Sequence, residues 1–302
     1  MKRQDMWIYL KLMLTSVLWA GTFIAGRILS RKGGPADPAS AAFLRFFFAS
    51  IIMLALVKAV EKRFPKLNAR QWFAMFLLGL TGIFLYHILF LTGLKTVEAA
   101  NASVIIATSP VFISLLSAYF FKEIITPLKF AGIILSVFGA IYVAIKGDFL
   151  YFFKYGISGG QLFIIGCLIC WVLYSILGKK LLAGLSPMII VAYSSLIGTV
   201  LLFFVALYNG IFGEMKLYLV KDWLSILYLA IFGTVVGYIW FCEALDKIGP
   251  ARTSLFFNFI PIFTIILSFL ILGEPVTHSL VVGTPLVIIG VYLTNKTKNR
   301  PI

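Results

Sequence analysis

Apolar residues run in stretches of about twenty along the whole chain. A stretch of that length crosses a hydrocarbon core of about 30 Å as a helix. Short gaps between the stretches hold most of the charged residues. Setting runs against breaks predicts ten helical spans, over residues 7–29, 38–57, 72–94, 99–121, 128–146, 161–182, 187–208, 223–245, 252–272 and 278–295. Pro38, Pro127 and Pro187 stand where a helix opens. A proline in the first turn loses no hydrogen bond that the helix would have made. Trp7, Trp72 and Trp223 stand near span starts, where an indole keeps its N–H in the interface and its ring in lipid. The pattern predicts an all-α integral membrane protein.

Composition agrees. Of 302 residues 61% are hydrophobic and 12% are charged, whereas a domain covered for water carries about 25% charged residues. The net charge of +15 raises nucleic acid as a partner. The basic residues, however, sit in the gaps between spans, as determinants of topology do, rather than clustering with aromatics on one face. The expected partners are therefore the lipid bilayer and a small-molecule substrate, with no nucleic acid. Ten spans put both termini on one side, and basic residues favour that side about two to one. The gap after span 2 alone holds Lys58, Lys62, Arg63, Lys66 and Arg70. This predicts a multi-pass protein of the cell (inner) membrane with both termini cytoplasmic. The start, MKRQDMWIYLKLMLTSVLWAGTFIAG, has the basic head of a secretory signal. Its apolar part is long, and it has a counterpart in mid-chain, so it reads as the first span. Cys167, Cys170 and Cys242 all lie inside apolar runs. The C-x-x-C pair has no thioredoxin-like setting and reads as small packing residues.

The chain carries one pattern twice. SPVFISLLSAYFFKE (109–123) returns as IPIFTIILSFLILGE (260–274), with proline and glutamate each displaced by 151 positions. At that displacement residues 72–141 align with 223–292 without a gap. The pairs of rarer residues are Trp72 with Trp223, Gly82 with Gly233, Pro110 with Pro261, Glu123 with Glu274, Thr126 with Thr277, Gly132 with Gly283 and Gly139 with Gly290. LWAGTFIAGR (18–27) lies against CWVLYSILGK (170–179), and Pro38 against Pro187. Two units of five spans follow, 1–150 and 151–302. Five crossings return the chain from the opposite face, so the second unit is expected to be inverted. Inverted repeats build many secondary transporters, with the site near the midplane where the repeats meet. Pro110 and Pro261 free the carbonyls of Ile106 and Phe257. Matching breaks in spans 4 and 9 suit helices that line a cavity and bend.

These residues resemble the drug/metabolite transporter superfamily, and within it the EamA-type permeases. The resemblance is carried by the ten-span layout, the tryptophan of span 1, Arg45-Phe46 in span 2, the repeated P-x-F of spans 4 and 9, and the glutamate closing each. IGPARTSLFFNFIPIFTIILSFLILGE (248–274) is similar to that family's second-repeat signature. The resemblance covers essentially the whole chain. It implies a central cavity walled mainly by spans 1, 3, 4, 6, 8 and 9, with spans 5 and 10 packed behind. It also implies export of amino acids, amphipathic metabolites or drugs.

Polar and aromatic residues at depth supply the candidates for substrate binding. They are Trp19 and Thr22, Tyr86 and His87, Asn101, Thr108 and Ser109, Trp171 and Tyr174, Tyr238 and Trp240, and Asn258. Each ionisable group inside a span costs about 2.5–3.5 kcal/mol on insertion scales and so needs a reason. His87 either meets substrate or bonds a neighbouring helix. Glu243 is a proton-coupling candidate, or else pairs with Lys247 at i+4. Arg45 is close enough to the start of span 2 to snorkel outward, and its match to the family's Arg-Phe pair implies a structural role over direct anion binding. Glu123 and Glu274 are expected to cap the spans that follow them. An aromatic, lightly polar cavity favours amphipathic solutes. A sugar-phosphate or nucleotide-sugar exchanger of the same superfamily is the alternative, and only Arg45, Lys179 and Arg252 stand available for its anion. No H-E-x-x-H motif and no Gly-rich phosphate loop is present, so neither an enzyme, a metal, a cofactor nor ATP hydrolysis is expected. Ten spans suffice to enclose a cavity within a monomer.

Overall fold

A computed structural model of the chain describes residues 3–31, 34–62, 64–121, 124–148, 156–181, 184–249 and 253–295. Glu123 and Arg252, which the sequence assigned roles, lie outside the described residues. So do Arg63, of the basic gap after span 2, and the side chain of Lys179. Ten helices are long and apolar enough to span a bilayer: α1 (Met6–Leu29), α2 (Pro38–Val60), α3 (Ala69–Leu94), α4 (Ala99–Phe120), α5 (Pro127–Ala144), α6 (Gly159–Gly178), α7 (Pro187–Tyr208), α8 (Val220–Ala244), α9 (Leu255–Leu272) and α10 (His278–Asn295). Among the described residues there is no strand. The chain is a multi-pass membrane protein.

Local chemistry fixes several helix starts. Asp37 caps α2, its carboxylate accepting from the Ala39 N–H at 2.8 Å, with Pro38 in the first turn. Thr126 and Ser186 do the same for α5 and α7, ahead of Pro127 and Pro187. Asn68 and Gln71 form a reciprocal capping box that opens α3 three residues earlier than the hydropathy pattern indicated. Each device satisfies an N–H that the first helical turn leaves without a partner.

Helix pairing follows the repeat. α5 packs along α10 and α2 along α7, while α3 lies on α6 as α8 lies on α1. α9 meets α1 as α4 meets α6, and α2 meets α8 as α7 meets α3. Exchanging each helix of the first five with its counterpart in the second maps this pattern onto itself. Small residues permit the closest pair: a Cβ at Gly290 would run into Ser136 N and Gly132 O across α5, and one at Gly139 into Gly283 O. Close backbone approach through glycine faces is a usual way for membrane helices to associate, since lipid supplies no hydrophobic drive between them. Around the outside, side chains such as Phe130, Ile134, Phe204 and Phe269 stand more than half exposed. In a bilayer that apolar belt meets acyl chains.

Neither pair of central helices is regular. α3 holds a π-helical segment at Gly79–Leu85 and α8 one at Ile231–Val236, matching positions of the two halves. α4 is interrupted at Ala107 and Thr108, just ahead of Pro110. α9 opens with a 3₁₀ turn, Leu255–Asn258, ahead of Pro261. Wide turns and breaks of this kind recur at functional sites of otherwise α-helical segments.

Candidate functional site

Two groups of aromatic rings stand inside the bundle, one where α1 meets α8 and the opening 3₁₀ turn of α9, the other where α6 meets α3. Trp19 of α1 stacks on Phe257 of α9, with centroids 5.1 Å apart and planes 9° from parallel. Its edges meet Tyr238 at 5.8 Å and Phe241 at 5.5 Å, both on α8. Such separations are those at which aromatic pairs attract beyond simple burial. The indole Nε1 donates to Gly233 O at 3.0 Å, which orients the ring against the π-helical turn of α8. In the other half, Trp171 stacks on Tyr174 at 5.5 Å and meets Tyr86 of α3 at 5.9 Å.

Two glycines make room for this arrangement, and they are repeat partners. A Cβ on Gly82 would run into the Tyr174 ring, and one on Gly233 into the Thr22 methyl. Tyr174 and Thr22 are themselves partners in the repeat alignment. The sequence therefore recurs as a contact: a glycine in a π-helical turn receives a side chain from the helix on which its own helix lies, α6 for α3 and α1 for α8.

Polar groups at the same level have specific partners. His87 is buried, its Nδ1 lying 3.0 Å from Ile83 O within its own helix and its ring meeting Phe46 of α2 at 4.5 Å. A carbonyl only accepts, so Nδ1 carries a proton, and in the neutral imidazole Nε2 keeps its lone pair. Arg45 is 7% exposed, and the expected snorkelling does not occur. The side chain turns inward instead, Nε and Nη2 donating to Thr234 Oγ1 at 3.3 and 3.1 Å across α8. The Thr234 hydroxyl in turn donates to Leu229 O at 3.0 Å, inside the irregular turn. Among the described residues no carboxylate pairs with Arg45.

The other candidates make no ring contact among those described. Thr108 donates to Ile105 O at 2.7 Å, and Ser109 donates to Ile106 O, the carbonyl freed by Pro110. These hydroxyls repair the helix break. Asn101 lies in the first turn of α4, its Nδ2 donating to Glu98 Oε2 at 3.0 Å and its Oδ1 buried without a partner. Asn258 is half-buried in the 3₁₀ turn beside Phe257, and Trp240 is half-buried without a ring contact among those described. Thr22 spends its hydroxyl on Trp19 O at 2.6 Å. Phe241, Phe257 and Thr234 join the centre although the sequence did not single them out.

Ion pairs tie α1 near both of its ends. Glu243 of α8 takes Lys11 at 2.6 Å and Lys247 at 2.8 Å, so the i+4 pair forms and a cross-helix pair is added. Sixteen residues on, about 24 Å along the helix, Arg27 donates to Glu274 Oε1 at 3.0 Å and also to Leu94 O. Gly273, at φ 68, turns the chain after α9, a conformation that glycine adopts at no steric cost. Glu274 is thereby brought to Ser268 and to the Ala99 N–H at 2.9 Å. It caps α4 of the other half rather than the span that follows it. Beyond the end of α1, Arg31 chelates Asp222 of α8, and that hydrogen-bonded carboxylate raises the guanidinium above its usual range.

The sequence profile of the EamA-like transporter family matches residues 6–145 and again 158–296. An uncharacterized transporter of Bacillus subtilis (strain 168), YyaM, is 31% identical over 94% of this chain and 92% of its own. An uncharacterized transporter of Archaeoglobus fulgidus is 31% identical over 97% and 98%. A probable terminal-alkyne amino-acid exporter of Streptantibioticus cattleyicolor is 28% identical over 94% and 92%. One crystal structure shares 18% identity and superposes with a TM-score of 0.65 over 95% of each chain, a likeness of fold.

Proposed function

Because the chain belongs to the EamA-like transporter family, a family of membrane transporters, we propose that it is a secondary exporter of small amphipathic metabolites. Amino acids and drug-like compounds of similar shape are the expected cargo. The observation that carries this reading is a pair of ring groups, Trp19 with Tyr238 and Phe257 and Trp171 with Tyr86 and Tyr174, set beside two matched π-helical turns. Their large faces suit an apolar body, and their few N–H and O–H groups suit one polar head.

Transport in this reading is alternating access. Each half has five spans, an odd number, so the halves enter the membrane from opposite faces and are inverted. Exchange of their two conformations opens the central rings to one face and then the other. The breaks in α4 and α9 and the wide turns in α3 and α8 supply bending points. Both termini face the cytoplasm from the inner membrane, following the bias of basic residues. The similarity to a probable amino-acid exporter supports the cargo class.

The test is uptake by proteoliposomes of a labelled panel of amino acids and aromatic cations, with and without a pH gradient, for the wild type and for His87→Ala. Saturable flux of one class, reduced in the variant, is the expected result. Exchange of a phosphorylated sugar with no flux of the panel would replace this reading with the anion exchanger.

A further inference from the structure

The Arg45 guanidinium is the one group at the centre whose chemistry the aromatic reading leaves unused. It lies seven residues into α2, about 10 Å along the helix, and it is 93% buried. Of its five N–H donors, those described as bonded go to a single neutral oxygen, Thr234 Oγ1. Arginine stays charged in proteins, and an ion without a counter-charge is expensive at membrane depth. Four other cations, Lys11, Arg27, Arg31 and Lys247, each meet a carboxylate. Arg45 instead faces the Phe46 ring at 4.9 Å. The titratable groups near enough to act on its charge are the Tyr238 and Tyr86 phenols and the His87 imidazole; the His87 ring packs on Phe46 at 4.5 Å and the Tyr86 ring on His87 at 4.8 Å. Neither phenol has a described hydrogen bond. A guanidinium with spare donors, two phenolic O–H groups and an imidazole lone pair thus adjoin the rings that would hold an apolar body.

We propose that Arg45 receives the carboxylate of the transported solute, so that the cargo is a monocarboxylate with an apolar or aromatic body. The planar guanidinium presents paired donors that match a carboxylate. Tyr86 or Tyr238 supplies a further O–H to it. One guanidinium neutralises one charge, which disfavours a sugar phosphate, a monoester of nearly two charges, or a nucleotide sugar with its diphosphate. An α-amino group on the cargo, where present, faces the His87 lone pair. This rests on the proposed transport reading but is measurable without transport.

The experiment measures binding to the purified full-length protein by calorimetry, and flux separately in proteoliposomes. The probes are L-phenylalanine, L-leucine and 3-phenylpropionate, with phenethylamine as the matched compound lacking a carboxylate. The wild type is expected to bind the carboxylates in preference to phenethylamine. In Arg45→Gln that preference falls by about tenfold or more, the scale of a charged pair lost from a desolvated site. Arg45→Lys keeps the charge without the fork and falls between, and it carries the test if the glutamine variant does not fold. An unchanged preference in both variants overturns the proposal, as does a wild type that binds none of the carboxylates. Arginine-dependent binding without flux upholds this site and refutes the transport reading.

Discussion

Arg27 Nε lies 3.0 Å from Glu274 Oε1, and through this pair the last turn of α1 in one half holds the end of α9 in the other. The same carboxylate caps α4 at the Ala99 N–H. One side chain therefore fastens three helices at a single end of the molecule, where the two halves would have to part for access from that face.

Glu274→Gln keeps the shape and removes the charge. Stability is expected to fall by about 1–3 kcal/mol, the worth of hydrogen bonds to a charged group. Reversible unfolding in mixed micelles reads the loss. A double-mutant cycle with Arg27→Gln should show coupling between the two sites; additive losses would mean that the pair contributes nothing.

The glycine faces of α5 and α10 give a sharper contrast. A Cβ at Gly290 meets backbone atoms of Ser136 and Gly132, whereas one at Gly178 meets nothing within 4 Å. Gly290→Ala is expected to destabilise by about 1–3 kcal/mol, as overpacking does. Gly178→Ala is expected to stabilise by about 0.5–1 kcal/mol, the helix preference of alanine over glycine. Midpoints from the same unfolding titration compare them, and opposite signs are predicted.

Gly82 and Gly233 test the central contact that the repeat makes twice. Valine at either position drives its side chain into Tyr174 or Thr22. Both variants should insert and purify, since the collision is with side chains. Flux should fall about tenfold or more in each, which corresponds to ~1.4 kcal/mol in a barrier. If one variant transports normally, the two halves do not share the work at this level.

Glu243 carries two ammonium groups, Lys11 at 2.6 Å and Lys247 at 2.8 Å. Held this way it acts as a fixed structural ion linking α1 to α8. Glu243→Gln is therefore expected to lower stability while leaving any dependence of flux on the pH gradient in place. Loss of that dependence with the fold intact would instead make Glu243 the proton carrier.

Much of this architecture was legible in the chain because a bilayer imposes simple rules. Span length, opening prolines and the paired rare residues located all ten helices, and the resemblance implied the α5–α10 packing, where the repeated glycines 132, 139, 283 and 290 meet. The direction a side chain takes was harder to read. Depth counted along α2 placed Arg45 near an interface, but the Thr234 hydroxyl that draws it inward belongs to α8, some 190 residues away. The π-helical turns leave no hydropathy signal, although Gly82 and Gly233 recur at them. Phe241 and Phe257 were hidden among 29 phenylalanines. The carbonyl bonds of Thr108 and Ser109 were legible too, because hydroxyls beside a helix break commonly bond carbonyls three or four residues back.

The central claim is that the two halves alternate around one aromatic site, and counterflow tests it most directly. Proteoliposomes are loaded with unlabelled L-phenylalanine, and the entry of labelled L-phenylalanine is followed at rising external concentration. A carrier predicts saturating entry with a transient overshoot above equilibrium, driven by the internal pool and reduced by Gly82→Val and Gly233→Val alike. Entry that rises linearly without saturation or overshoot, or that ignores both substitutions, would contradict the account.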